Sequence, residues 1–270
     1  MRRMVMAPLR SSQAPSRFSP LRWLADAWSR TQYGAAIIVL ALTPSSYRNR
    51  PMRLALARHA WLDTAPILPG FTMLSALLTL VITRIVVVTA ESYGLTQYAL
   101  EMVVRVLVLE LIPLTAALFV ALRCTIPNGA ALTEQRRLGH DAALRRLGRD
   151  PVLEEVLPRV LAGAYSTITL AALSCAVATV LAYLAVYGGT WAGLPAYTRM
   201  FGHVFTPSVT LIFTLKTLFF SAAVAIIPVA TGAEQIARPG SREHAALQGL
   251  VRMFAVLLVL EALSLMGNYY

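Results

Sequence analysis

Glu110 and Lys216 are the residues of this chain whose surroundings first demand a chemical explanation. Glu110 stands in Leu109-Glu110-Leu111-Ile112-Pro113, and Lys216 in Phe213-Thr214-Leu215-Lys216-Thr217-Leu218-Phe219-Phe220, each deep inside a long apolar run. A charge in such a place is expensive to bury and must face a partner, water or a polar ligand. On a helix Glu110 falls half a turn around from Glu101, with no opposite charge three or four positions away, so its partner is expected on another helix, in a wet cavity or on a lipid head group. A Glu110–Lys216 pair meets that need, either as a structural ion pair or as part of a site. Pro113 stands beside Glu110 in the same run. Glu101 and Arg105, spaced i,i+4, read as an ion couple near one end of the run, with substrate contact the alternative. Arg84, Arg252 and Glu261 complete the set, and Arg252 is close enough to its helix end to snorkel.

The elements that must hold these residues are membrane-spanning helices. The chain has 270 residues, 57% hydrophobic and 14% charged, with mean hydropathy +0.63. A soluble domain is nearer 45–50% apolar and about 25% charged. A spanning helix needs ~20 apolar residues, and five runs qualify: about 65–90, 98–122, 160–187, 204–230 and 247–266. A further run, 33–43, is too short to cross. Before it, Ser19 and Pro20 suit the start of a helix whose Arg22, Asp26 and Arg30 share one stripe opposite Leu21, Leu24 and Trp28. Such a helix lies in the membrane interface or packs on the protein's own core. The expected fold is therefore an all-α membrane protein with an N-terminal interfacial amphipathic helix and five transmembrane helices. Residues 1–18 read as a disordered cytosolic tail, with an organelle transit peptide the alternative, 19–64 as interfacial helices and 65–270 as the membrane domain.

Charge gives the orientation. Lys and Arg number 24 against 13 Asp and Glu, a net +11, and Lys216 is the only lysine. Ten arginines precede residue 65, seven lie from Arg123 to Arg159, and Arg238, Arg242 and Arg252 surround the last link. Glu91 and Arg199 are all that the other two links carry. By the positive-inside rule the N-terminus is cytoplasmic and the Gly267-Asn268-Tyr269-Tyr270 tail is outside, or periplasmic. Basic residues spread between apolar runs do not make a nucleic-acid surface. Cys124 and Cys175 indicate no disulfide framework. His59, His203 and His244, scattered singly, read as interface or loop residues rather than ligands. Lys216 follows leucine in an apolar run, so no P-loop is present and any ATP is hydrolysed on another chain. No internal repeat marks an inverted-repeat carrier.

The link 124–158 reads as two cytoplasmic helices. The first, about 130–147, ends at Gly148, and the second starts with Asp150 as N-cap, Pro151 at its first position and Glu154 and Glu155 in its first turn. A basic helix anchored to two spans would suit docking of a motor protein, or would lie on anionic lipid through Arg136, Arg137, Arg145 and Arg146.

The run Leu109-Glu110-Leu111-Ile112-Pro113-Leu114-Thr115-Ala116-Ala117-Leu118, with Ala143-Leu144, Leu147-Gly148, Asp150-Pro151 and Leu157-Pro158-Arg159-Val160-Leu161-Ala162, resembles the MlaE (YrbE) family of ABC-transporter permeases. Leu215-Lys216-Thr217-Leu218-Phe219-Phe220 and the helix 245–263 are similar to that family's closing spans, and the resemblance covers roughly residues 50–265. It implies a bacterial inner-membrane permease, not itself an enzyme. Such permeases dimerise, bind a cytoplasmic ABC ATPase that holds the ATP, and work with a periplasmic MCE-domain lipid-binding protein to move phospholipid between inner and outer membranes. The chain itself would hold no cofactor. The resemblance places ATPase coupling on Glu134, Gln135, Gly139, His140, Asp141, Leu144, Leu147, Gly148 and Asp150. Gly139-His140 and Ala142 stand where the family typically has Glu-Gln and Asp, although Thr133-Glu134-Gln135 occurs five residues earlier. That divergence leaves open a different ATPase, a heterodimer with a second permease, or a non-transporting scaffold that stabilises a partner permease or anchors an MCE protein. A proton- or ion-coupled carrier working through Glu110 is a further alternative.

Overall fold

The computed structural model describes residues 32–48, 50–237 and 242–269. The expected tail 1–18, the amphipathic stripe at 19–30 and Arg238 lie outside the described residues. The described chain is helical throughout, without strands. The helices are α1 (Gln32–Leu42), α2 (Arg50–Thr64), α3 (Leu68–Ser92), α4 (residues 96–137), α5 (His140–Arg146), α6 (Val152–Tyr187), α7 (Leu194–Val204), α8 (Pro207–Ala237) and α9 (Arg242–Tyr269). Among them α3, α4, α6, α8 and α9 are long and apolar enough to cross a membrane, so this is a multi-pass membrane protein. At 11 residues, α1 is too short to span.

The five long helices alternate in direction. One end of the bundle carries α2 and α5, the opposite end α7. In between, α8 packs against α9, α6 and α4, while α6 also receives α2 and α3. The core is built from Phe71, Ala116, Val120, Leu170, Phe220, Val224, Met253 and Leu257. Small residues permit the closest approach. A Cβ on Gly129 of α4 would stand 3.0 Å from the Pro228 carbonyl oxygen of α8, the kind of backbone proximity that holds helices together in lipid.

Several boundaries depart from the sequence expectation. The second span does not end at 122 but continues unbroken to 137, and the expected helix over 130–147 is instead the end of α4 plus the separate α5. The break falls at Gly139, whose φ of +78° suits a residue without a Cβ. Likewise α6 begins immediately after Pro151, so the second link helix and the third span are one element. The reason lies in the prolines. Pro113, Pro127 and Pro158 each follow, by two residues, a π-helical segment at Val104–Leu111, Ala121–Thr125 and Val152–Val156. A proline lacks an N–H and its ring collides with the carbonyl four residues back. The wider π-turn absorbs that defect and restarts the α-helix with proline in its first turn.

The other helix ends follow their local chemistry. Gly148 has φ +71°. Beside it the Arg149 N–H donates to the Leu144 carbonyl at 3.0 Å and the Gly148 N–H to that of Arg145 at 3.0 Å, closing α5 with a Schellman motif. Asp150 caps the next helix by accepting from the Val152 N–H at 2.9 Å. The fourth span starts at Pro207 rather than 204, because α7 is an independent helix. It is tied to α6 by a Tyr197 hydroxyl that donates to the Thr179 carbonyl at 2.9 Å and by a Tyr183–Tyr197 ring contact at 5.1 Å.

Candidate functional site

Glu110 and Lys216 meet. The π-helical segment of α4 turns Glu110 inward, where it is 7% exposed, and Lys216 on α8 is 4% exposed. The ammonium of Lys216 donates to Glu110 Oε2 and, at 3.2 Å, to the Leu109 carbonyl. Two partners from α9 complete the cluster. Glu261 Oε2 lies 2.8 Å from Lys216 Nζ, and Asn268 Nδ2 donates to Glu110 Oε1 at 3.2 Å. Three spans thus converge on one dry ionic centre, in which each charge is tolerable only because the others are present. Lys216 is nine residues from the start of α8 and Asn268 is next to the end of α9, so the centre lies in the half of the bundle nearer α7.

Sequence reasoning reached the Glu110–Lys216 pair but assigned Asn268 to an external tail and left Glu261 among residual charges. The signal was the spacing of 261, 264 and 268, one face of a helix. Pro113 is buried one turn from Glu110 and adjoins the π-segment that aims it. The remaining candidates do not join the cluster. Glu101 and Arg105 pair with each other, Arg105 Nε donating at 3.0 Å, with both side chains about a third exposed (32% and 31%). Arg84 is exposed on α3 between Leu80, Val81 and Val88, which are exposed as well.

At the opposite end, a second polar system fixes α5. Arg136 Nε lies 3.2 Å from Asp141 Oδ2 across the Gly139 break, and Arg136 Nη2 also donates to the Tyr33 hydroxyl at 2.9 Å. Arg159 of α6 donates to Gln135 at 2.9 Å and pairs with Glu155 at 3.1 Å, and Glu155 in turn faces His140 at 3.8 Å. Leu144 is buried beneath α5. The outer surface presents Leu138 and Leu147, 78% and 72% exposed, with Glu134, Gly139, His140, Gly148 and Asp150 exposed around them. Deeper, Asn128 donates to Asp63 Oδ2 at 2.8 Å, and burial holds the Asp63 carboxyl above its ordinary range. Burial, followed by the charge of Arg159, lowers His59 below 6.5.

The two systems share one helix. Glu110 and Gln135 lie on the same uninterrupted helix, separated by about 37 Å at 1.5 Å per residue. One continuous helix therefore runs from the buried ionic centre to the end beside α5.

The family model described as Permease MlaE matches residues 56–266, most of the chain, and the protein belongs to that family of ABC-transporter permeases. It is a transport subunit of the membrane rather than a catalytic enzyme. No curated protein matches the chain.

Proposed function

We propose that this chain is the permease subunit of a transporter that moves phospholipid between the inner and outer membranes of a bacterium. A separate cytoplasmic ATPase drives it, and a periplasmic MCE-domain protein exchanges lipid with it. The observation that carries this reading is the buried Glu110–Lys216–Glu261 centre, joined through Glu110 to α4, whose far end docks α5 through Arg136 and Asp141, in a chain of the MlaE family. In the orientation given by the arginines, α5 lies in the cytoplasm and the ionic centre in the periplasmic half of the membrane. Extracting a two-chain lipid exposes apolar surface at about 0.8 kcal/mol per CH₂, so the work requires an external source. ATP-driven movement of a motor bound over Leu138, His140 and Leu147 would push on α5. The Arg136–Asp141 and Arg159–Gln135 contacts would pass that push to α4 and α6. Their far ends would then shift the cluster, while the apolar helix faces of two permease copies, identical or not, would hold the acyl chains.

Co-purification of the full chain with the ATPase encoded beside it tests this reading. Association, and lipid-stimulated ATP hydrolysis after reconstitution, are expected; absence of both overturns it. A scaffold that stabilises a partner permease is the second reading. It is favoured by Gly139, whose left-handed backbone occupies the place of the family's glutamate. His140→Gln separates the two: a transporter changes its ATPase stimulation, whereas a scaffold has none to change.

A further inference from the structure

The ionic centre does not balance. Glu110 and Glu261 bring two carboxylates to the single ammonium of Lys216, with side chains 9%, 13% and 2% exposed. Among the described residues no second cation reaches them: Arg105 is paired with Glu101, and Arg84 is exposed on α3. Cys175, the titratable group on the packed face of α6, donates its thiol to the Val108 carbonyl at 3.3 Å. With both carboxylates ionised the cluster carries one net negative charge, in a place that water hardly enters. A second observation stands on the same face of α9. Ser264, 7% exposed, has a buried Oγ with no hydrogen-bond partner, and the Oδ1 of Asn268 is likewise buried and unpartnered. Buried oxygens without donors are uncommon and costly, and here two of them share a helix face with Glu261, at positions i+3 and i+7 from it.

A complementary ligand carries one positive charge and several N–H donors. A quaternary ammonium supplies the charge without donors, and a hard metal ion needs more oxygens than this face offers. We propose that this face of α9 receives the primary ammonium of an aminophospholipid head group. Glu261 supplies the opposite charge, and Ser264 Oγ and Asn268 Oδ1 accept two of the three N–H donors. The proposal rests on the lipid-transport reading and adds a head-group preference to it. Glu261 is the most exposed of the three charged groups and is where the head group first meets the centre.

The test uses the purified full chain in nanodiscs containing equal amounts of phosphatidylethanolamine, its N-methyl and N,N-dimethyl derivatives, phosphatidylcholine and phosphatidylglycerol. Lipid retained by the protein is counted by native mass spectrometry. Methylation removes donors one at a time and keeps the charge. A hydrogen bond to a charged group contributes about 1.5–3 kcal/mol, so wild type should retain the primary amine over phosphatidylcholine by roughly tenfold or more, falling stepwise along the series. Glu261→Gln should abolish this preference and Ser264→Ala should reduce it. Lipid bound without head-group preference, or a preference untouched by both variants, overturns the ammonium site and leaves lipid transport standing. So does a centre that titrates with pH yet shows no preference, since a proton would then balance the charge. Retention of none of these lipids by a folded wild type overturns the lipid reading itself.

Discussion

Replacing Lys216 with methionine keeps most of the side-chain volume and removes one charge. Glu110 and Glu261 would then face each other with only the Asn268 amide donating to Glu110, in a site where Lys216 and Glu110 are 4% and 7% exposed. Removing one partner from a buried ion pair costs about 3–5 kcal/mol, because the charge left behind is neither hydrated nor paired. At about 2–4 °C per kcal/mol for chains near this size, Lys216→Met should lower Tm by roughly 10 °C. Adding Glu110→Gln and Glu261→Gln removes every charge and should recover most of the loss, since neutralising a whole buried ionic group is often close to neutral for stability. Cys124 and Cys175 are free and buried, so labelling by a thiol-reactive dye during heating of the detergent-solubilised chain reports unfolding directly. A single variant within about 2 °C of wild type, under the conversion used above, would refute the claim that the centre is dry and mutually dependent. So would a triple variant no more stable than the single one.

Three further outcomes follow from the geometry. Gly129→Ala places a Cβ 3.0 Å from the Pro228 carbonyl oxygen and 3.1 Å from its carbon; the α4–α8 contact must open, lowering stability by about 1–3 kcal/mol in the same thermal assay. Gly139→Ala meets no crowding but must hold φ at +78°, costing about 1–2 kcal/mol, with a loss of ATPase stimulation larger than the loss of Tm. His59 is lowered by burial, so the unfolded chain binds its proton more tightly. Stability should therefore fall as the pH drops through 6.5, and His59→Gln should flatten that change in Tm measured on both sides of it. Asp63, raised by burial, acts in the opposite sense at more acidic pH and does not hide the effect.

What the residues disclosed and what they concealed divide along physical lines. Apolar run length and arginine placement disclose the spans and a candidate orientation, because both answer to the bilayer. The Glu110–Lys216 pair was legible for a related reason: no residue on the helix of Glu110 could satisfy it, so the membrane required a partner elsewhere. Asn268 was concealed because a polar residue at the end of an apolar run looks like a tail. Its side chain is needed only once Glu110 is known to stand in the α7 half of the bundle. Helix continuity was hidden by proline. Pro127-Asn128-Gly129 has the composition of a link, and Pro113 and Pro158 also mark breaks under ordinary α-helical rules. Each is preceded by a π-helical segment instead, and no composition rule announces that exchange. The consequence is mechanical: with its prolines absorbed, α4 is one lever from the ionic centre to the surface helix, where the sequence suggested a span, a loop and a separate coupling helix.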